Sequence, residues 1–304
     1  MIEVPELVER SALAAGAASW LAALPDLVGD LATEWELSVG GPLPGGTESC
    51  VVGVTQADGT PAVLKLLLPR TGDEVVERAG RHEAAVLRLA DGDGCVRLFR
   101  SDLDGSALLL ERLGPSLSTL GLPIGRRLEI MTATVARLWR RAPTDTLPSG
   151  AARASQLVRS VIETWERLDR PCSERVVEHA VRCGERRRRA HDDERIVLVH
   201  GDVHQWNTLA SDRGFLLIDP DGLRAEPEYD LGILMREDPV ELVTGRPRDR
   251  AEWLASRCGL DAEAIWEWGV IERVANGLSW AATGDDDEAD RILRVAEVIA
   301  ADPG

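Results

Sequence analysis

A short β-type island within a largely helical half of the chain constrains the fold most strongly. It contains two strand-like runs, residues 195–199 and 215–218, each rich in aliphatic side chains. Between them lie a polar segment, residues 200–207 with the sequence His-Gly-Asp-Val-His-Gln-Trp-Asn, and a turn signal at residues 211–214. Loops that follow rigid strands commonly carry functional side chains. We therefore predict a hairpin that presents a functional loop.

The pattern on either side of this island divides the chain into three parts. Residues 1–34 show apolar residues at helical spacing and predict an amphipathic N-terminal helix. Residues 35–114 alternate between strand-like runs and turns around one helix, whereas residues 115–304 are mainly helical. The predicted fold is therefore α+β and bilobal, with a β-rich first lobe and a helical second lobe. A hinge is predicted at residues 111–114, where a ligand cleft is expected.

Individual elements follow from the same patterns. In the β-rich lobe, strands are predicted at 35–39, 50–55, 62–68, 96–100 and 107–111, and a helix at 73–89. In the helical lobe, helices are predicted at 125–141, 151–168 and 173–190, and from about residue 229 to the end. Prolines and glycines separate these runs, as expected at element boundaries.

Composition excludes several classes of function. The net charge is −17 and the pI is near 4.8, so the surface disfavours binding to nucleic acid or to anionic membranes. The five cysteines are widely spaced and form no C-x-x-C pair, which predicts a protein of the reducing cytoplasm. The apolar run at 11–25 follows acidic residues, whereas an export signal requires basic ones. No run is long enough to span a bilayer.

Three side chains of the island form a set suited to phosphoryl transfer from ATP. Asp202 precedes Asn207 by five residues, and Asp219 follows the next strand-like run. An amide oxygen and a carboxylate are suitable ligands for Mg²⁺, and a second carboxylate can orient an attacking hydroxyl. The Asp-x-x-x-x-Asn spacing is that of the protein-kinase catalytic loop. Because a hairpin brings its ends together, we expect the three side chains to meet.

These residues carry a resemblance to a known family. The run His-Gly-Asp-x-His-x-x-Asn at 200–207 resembles the catalytic loop of the aminoglycoside phosphotransferase family, which has a protein-kinase-like fold. Residues 218–223 and 229–231 are most similar to the streptomycin 6-phosphotransferase and hydroxyurea-kinase branch. The resemblance implies that Asp202 is the catalytic base, that Asn207 and Asp219 bind Mg²⁺, and that the protein confers antibiotic resistance. It also implies that His200 holds the loop without reacting.

Lys65 is the only lysine in the sequence, since the other 34 of the 35 basic residues are arginines. It lies on the predicted third strand, and Glu83 lies on the helix that follows. In kinase folds a lysine at this place contacts the α- and β-phosphates of ATP and pairs with a helix glutamate. We predict that Lys65 binds ATP and pairs with Glu83, with Glu74 and Glu77 as rival partners.

Two further segments are candidates for nucleotide binding. The glycine-rich run at 45–49 precedes Lys65 by one hairpin and could cover the phosphates with its N–H groups and the Ser49 hydroxyl. The linker around Glu111 and Leu113 could offer backbone groups to adenine. Neither segment matches a Walker or G-x-G-x-x-G motif.

The acceptor, meaning the molecule that receives the phosphoryl group, is expected to be small and cationic, and the resemblance implies an aminoglycoside such as streptomycin. Carboxylates in the helical lobe would suit it beside Asp202, and tryptophans could stack on guanidinium planes. The acidic candidates are Glu237, Asp238, Glu241 and residues 285–288, and the aromatic candidates are Trp266, Trp268 and Trp280.

Other interpretations of the same residues remain. His200, Asp202 and His204 could form a metal-hydrolase site, although they lie in a predicted loop and the His-x-x-x-His pair of metalloproteases lies on a helix. The basic run at 186–189 could contact nucleic acid, but it sits on a predicted helix in a very acidic chain. A kinase fold can also serve as a non-catalytic nucleotide-binding module, or phosphorylate another alcohol, sugar or antibiotic.

Overall fold

The structure is a computed structural model that describes residues 4–43, 49–69, 79–102, 105–141, 147–237 and 245–301. The chain forms two compact units, Met1–Gly114 and Pro115–Gly304. Within the described residues, every helix is too short or too polar to cross a membrane.

The first unit consists of helices and one antiparallel sheet of five strands in the order β1-β2-β3-β5-β4. Its helices are α1 (Glu6–Ala14), α2 (Ala18–Glu34) and α3 (Ala79–Ala90), and its strands are β1 (Leu37–Pro42), β2 (Ser49–Gln56), β3 (Pro61–Leu67), β4 (Leu98–Ser101) and β5 (Ala107–Glu111). Strand β3 is central, with β2 on one side and β5 on the other. Residues 70–78 lie outside the described residues, so the predicted helix is described only from Ala79 onwards.

The N-terminal segment forms two helices where the sequence predicted one. The break falls at Gly16, whose φ of +71° is left-handed and therefore favours glycine. The N–H of Gly16 donates to Leu13 O (3.1 Å) and that of Ala17 to Ala12 O (2.8 Å). This is a Schellman ending, which satisfies the last carbonyls of α1 and turns the chain into α2.

The core of the first unit lies between these helices and the sheet. Val8, Leu24 and Val28 form one buried cluster with side chains of the strands, such as Val52 and Leu64. Burial of each large aliphatic side chain contributes roughly 1.5–3 kcal/mol to folding. The sheet that carries Lys65 is therefore covered by the N-terminal helices.

The second unit contains helices and two antiparallel sheets of two strands each. Its helices are α4 (Ile124–Val135), α5 (Gly150–Arg167), α6 (Glu174–Arg189), α7 (Glu228–Leu234), α8 (Pro247–Cys258), α9 (Ala262–Thr283) and α10 (Asp286–Ala301). Its strands are β6 (Val197–Val199), β7 (Thr208–Ser211), β8 (Gly214–Leu217) and β9 (Leu223–Ala225).

The pairing of these strands differs from the predicted hairpin. The two predicted runs do not pair with each other, because β6 pairs with β9 and β8 pairs with β7. The tight turn between Ser211 and Gly214 explains this, since it directs β8 back onto β7, and Gly214 adopts a φ of +100°. Strands β7 and β9 were not predicted, because runs of three or four residues are too short to show a periodicity.

Helices α7 and α9 approach each other closely through glycines. A methyl group on Gly232 would overlap the Trp268 side chain, and one on Gly269 would lie 2.7 Å from Met235 Cβ. Real side-chain atoms cannot approach so closely, so both positions require glycine. This contact sets the position of α7 and of the residues that follow it.

We expect Gly232→Ala to lower the free energy of unfolding by about 2 kcal/mol, because the added methyl overpacks the α7–α9 contact. Gly29→Ala is the matched control, since Gly29 lies within α2 with open space around its Cα. We expect it to be neutral or slightly stabilising. Urea unfolding of both variants measures the difference, and equal stabilities would contradict the close contact.

Candidate active site

The loop at residues 200–207 runs from β6 to β7 and carries the predicted catalytic residue. Its second residue is Gly201, whose φ is +91°. A Cβ at this position would lie 2.8 Å from Asp221 Cβ, so only glycine fits. The backbone N–H of Asp221 donates to His200 O (2.9 Å), which ties the segment after β8 to the start of the loop.

Asp230, on α7, anchors the loop. Its carboxylate accepts hydrogen bonds from the backbone N–H of His200 (3.1 Å), from that of Gly201 (2.9 Å) and from Trp139 Nε1 (2.9 Å). The residue is completely buried. Burial raises the pKa of Asp230 to about 6, and these hydrogen bonds act in the opposite direction.

We expect Asp230→Asn to change how stability depends on pH. The folded-state pKa of about 6 lies above the ordinary 3.8, so protonation of Asp230 stabilises the fold fully below pH 3.8, and that stabilisation is lost as pH rises through 6. The stability of the wild type relative to the variant should therefore fall by about 2 kcal/mol between pH 4 and pH 6. Urea unfolding at both pH values measures it.

An exposed carboxylate provides the control for this prediction. Asp26 lies exposed on α2, so Asp26→Asn should leave the pH dependence as in the wild type. A difference between wild type and Asp230→Asn that is the same at pH 4 and pH 6 would contradict the prediction.

His200 is a structural member of the loop. It is fully buried, its Nε2 lies 2.9 Å from Ile218 O, and its Nδ1 accepts from the N–H of Asp202 (3.2 Å). These partners assign the proton to Nε2. Burial lowers the pKa of His200 to about 4, so the ring is neutral near pH 7.

The Asp202 carboxylate is held at both oxygens. Oδ1 accepts from Arg236 Nη2 (2.9 Å), and Oδ2 lies 3.0 Å from His204 Nε2 and accepts from Asn207 Nδ2 (3.2 Å). Burial alone would raise the pKa of Asp202, but the His204 hydrogen bond and the charge of Arg236 hold it well below its usual range. These contacts keep the side chain ionised and oriented. Because it is 35% exposed, it is also open to a second molecule.

Asn207 and Asp219 lie at the base of the β7–β8 hairpin. The N–H of Ile218 donates to Asn207 O (2.9 Å), and Asp219 follows directly with a left-handed φ of +60°. The Asn207 amide nitrogen donates to Asp202 O and to Asp202 Oδ2, both at 3.2 Å, which turns the amide oxygen away from Asp202. The amide oxygen of Asn207 and the carboxylate of Asp219 are thus suitable donors for a hard cation.

Within the described ranges, no group of three or more His, Cys, Asp or Glu side chains could enclose a metal ion. Mg²⁺ is usually held by one or two protein ligands together with water and substrate phosphates, and Asn207 and Asp219 offer two oxygen donors of this kind. His204, by contrast, points its Nε2 at Asp202 and its Nδ1 at the N–H of Asn207. Both ring nitrogens are thus used within the loop, which disfavours the metal-hydrolase interpretation.

A network of charged and polar side chains that the sequence did not predict reaches Asp202 through Arg236. Arg236 Nη1 lies 3.8 Å from Glu272 Oε2. Glu272 is buried on α9, accepts from Tyr229 Oη (2.6 Å) and pairs with Arg153 Nη2 (3.3 Å). Because these residues are far apart in sequence, no local spacing could have revealed them.

In the first unit, Lys65 and Glu83 are in contact. Lys65 Nζ donates to both Glu83 Oε1 and Oε2 at 2.8 Å, and each side chain is only 7% exposed. Lys65 lies in the middle of β3, paired with Val51 on β2 and Leu108 on β5, so the strand holds it rigidly. Glu74 and Glu77, the rival partners, lie outside the described residues.

The remaining predicted nucleotide residues also belong to the first unit. Ser49 is buried at the start of β2, and residues 45–48 lie outside the described residues. Glu111 ends β5, and its N–H donates to Arg97 O (2.9 Å). Leu113 is half-buried, and among the described residues its backbone N–H has no backbone acceptor.

The residues predicted to bind the acceptor differ in where they lie. Glu237 is buried beside the loop, where Oε1 accepts from the N–H of Gln205 (3.2 Å) and Oε2 lies 3.8 Å from Arg127 Nη1. It therefore supports the loop. Asp238 and Glu241 lie outside the described residues, and residues 286–288 form the acidic first turn of α10.

The proposed stacking role of two tryptophans is wrong. Trp266 and Trp268 are each only 1% exposed, because α9 is buried on nearly all sides. The Trp268 indole packs edge-on against Tyr229 and donates to Glu226 Oε1 (2.7 Å). Trp280 is 39% exposed near the end of the same helix.

Comparison with known proteins identifies the family. The sequence profile of the aminoglycoside/hydroxyurea antibiotic resistance kinases matches residues 34–288. The chain belongs to this family. A hydroxyurea phosphotransferase of Kitasatospora aureofaciens is 34% identical, with 98% of this chain and 86% of that protein covered. A streptomycin 6-kinase of Streptomyces glaucescens is 31% identical, with 91% of each chain covered.

Membership of this kinase family confirms the predicted resemblance and makes the chain a phosphotransferase. A solved structure with the same fold is an aminoglycoside phosphotransferase in a ternary complex with ADP and hygromycin B. It is 14% identical, has a TM-score of 0.60, and covers 89% of this chain and 96% of its own. The predicted α+β kinase-like fold, with a β-rich first unit and a mainly helical second unit, is thus confirmed.

Proposed function

We propose that this kinase-family member transfers the γ-phosphate of ATP to a hydroxyl group of a small antibiotic. The observation that carries the proposal is the Asp202 carboxylate, fixed by three donors and open to solvent. An ionised, oriented and accessible carboxylate is the group that an attacking hydroxyl requires.

Asp202 would accept a hydrogen bond from the acceptor hydroxyl. As the new O–P bond forms and the bond from phosphorus to the β-γ bridging oxygen breaks, the hydroxyl proton passes to Asp202 and then to solvent, and ADP leaves. Arg236, His204 and Asn207 fix the direction of the carboxylate. Because transfer proceeds through a loose transition state, positioning of this kind supplies much of the acceleration.

Two residues of the hairpin would hold Mg²⁺. The Asn207 amide oxygen and the Asp219 carboxylate are the candidates, and Mg²⁺ bound there would offset the negative charge of the phosphates. Their place at the base of one hairpin fixes their spacing, since the β7–β8 pairing continues up to Thr208 and Leu217.

The first unit would bind the nucleotide. Lys65, held by Glu83, would contact the α- and β-phosphates, with Ser49 nearby on the adjacent strand β2. Backbone groups of Glu111 and Leu113 would face adenine. The ADP bound in the related solved structure supports ATP as the donor. A cytoplasmic location is part of the proposal, because ATP is available there.

The described residues favour an acceptor of the hydroxyurea kind. The positive guanidinium of Arg236 offsets the charge of Asp202, and Glu237 is buried against Arg127, so these two carboxylates offer a polycation little attraction. A small uncharged acceptor needs no such carboxylate. The relative named for streptomycin supports a second candidate, an acceptor that carries guanidinium groups.

The test is ATP consumption by the purified protein with Mg²⁺. Hydroxyurea and streptomycin are compared with a sugar and an amino alcohol, and ADP release is measured for each. We expect ADP release that depends on hydroxyurea or streptomycin. Release with the sugar or the amino alcohol alone would remove the antibiotic role, and no release with any acceptor would overturn the proposed function.

A further inference from the structure

The most exposed large apolar side chain among the described residues lies inside the catalytic loop. Trp206 is 62% exposed, whereas Trp266 and Trp268 of the same unit are each 1% exposed. Single exposed apolar side chains are common on protein surfaces, so exposure alone assigns no role. In the sequence, however, Trp206 lies between His204 and Asn207, which both bind the Asp202 carboxylate. This position indicates a role.

The backbone that carries Trp206 is fixed. Residues 204–207 form a turn in which the N–H of Asn207 donates to His204 O (3.1 Å). On the residue before Trp206, the N–H of Gln205 donates to Glu237 Oε1 (3.2 Å), and Gln205 O accepts from Ser116 Oγ (2.8 Å). The indole is therefore presented from a rigid turn, which reduces the entropic cost of binding a ligand.

The indole is also connected to the reacting group through His204. Its ring lies edge-on to the His204 ring, with a centroid separation of 5.7 Å and an interplanar angle of 66°. His204 Nε2 lies 3.0 Å from Asp202 Oδ2, and Asn207, the residue after Trp206, donates to the same oxygen. An edge-on contact occupies little of the indole face, so a face remains available beside Asp202.

We propose that Trp206 is the platform on which the planar N–C–N group of the acceptor stacks, and that it thereby selects the acceptor. A urea group and a guanidinium group share this planar geometry, and both stack on an indole, the guanidinium with an added cation–π attraction. The stacked group brings its hydroxyl to Asp202. This inference rests on the proposed function and names the residue that recognises the acceptor.

Trp206→Leu and Trp206→Phe test the role. Leucine keeps an apolar side chain without a ring, so we expect the KM for the acceptor to rise about tenfold, the size expected from loss of one stacking contact. The kcat and the KM for ATP should stay close to the wild-type values. Phenylalanine should restore most of the acceptor affinity, which a merely structural role of the indole would not predict.

Trp253→Leu is the matched control. Its indole lies on α8 in the same unit and already packs under the Arg257 guanidinium, 4.6 Å from the ring centroid, so its loss should leave both KM values unchanged. Hydroxyurea and streptomycin serve as separate acceptors. The rise in KM for hydroxyurea or for streptomycin tells which planar group stacks.

The outcomes separate the two proposals. Turnover of Trp206→Leu with an unchanged acceptor KM would overturn the role of Trp206 and leave the proposed function intact. A rise confined to the KM for ATP would also overturn it, since the indole would then serve the nucleotide. Absence of turnover in the wild type with every acceptor would instead remove the proposed function.

Discussion

Asp202→Asn is expected to lower kcat by at least about 1000-fold, because the amide cannot accept the hydroxyl proton and has no charge to orient the hydroxyl. Asparagine is isosteric with aspartate, so one oxygen can still accept from Arg236. ATP binding, measured by calorimetry with Mg²⁺, should change little. The loss should therefore appear in kcat and not in nucleotide affinity.

Asp212→Asn provides the control on the same hairpin. Asp212 is exposed in the turn between β7 and β8, so this variant removes one carboxylate without touching the loop. We expect wild-type kinetics. An Asp202→Asn enzyme that retained more than a tenth of the wild-type kcat would exclude Asp202 as the base.

Lys65→Arg is expected to lower kcat/KM for ATP by about 100-fold although it preserves the charge. Lys65 lies 7% exposed between two strands, with Nζ 2.8 Å from both oxygens of Glu83. The longer, planar guanidinium does not fit this geometry. The effect should fall mainly on the KM for ATP, measured at saturating acceptor.

Two additional variants keep this prediction testable. Arg10→Lys exchanges an exposed basic residue of α1 and should behave as the wild type. Lys65→Met serves if the arginine variant fails to fold, as judged by thermal unfolding.

Because Lys65 is the only lysine, a lysine-directed ATP analogue should label one side chain, and ATP should protect it. Labelling that ATP does not reduce would remove Lys65 from the nucleotide site.

The chemically distinctive residues could be found from the sequence, since their signals are local. Asp202, Asn207 and Asp219 follow short strand-like runs, and Lys65 is unique in composition. The structure brings Lys65 and Glu83 into contact and places Asn207 at hydrogen-bond distance from Asp202. Their roles in catalysis remain predictions, which the variants above test.

The supporting residues could not be found in this way. Asp230 and Arg236 reach the loop from 28 and 34 residues beyond Asp202, and Glu272 reaches Arg236 from a different helix. Such contacts depend on helix packing, for which one sequence offers no period or spacing. The same limit explains the error at Trp266 and Trp268, since only the packing around α9 shows that the helix is buried on nearly all sides.

The two ends of the β7–β8 hairpin should differ in their tolerance of engineered changes. One end lies in the candidate active site, whereas the turn at the other end is exposed to solvent. Residues inserted at the exposed turn after Ser211 leave the pairing of Thr208 with Leu217 in place, and so leave Asn207 and Asp219 at their spacing. Deletion of one residue from β8 would shift this register and turn alternate side chains to the opposite face. A peptide tag or reporter group would therefore be tolerated at the turn, a few residues in sequence from the metal-binding candidates.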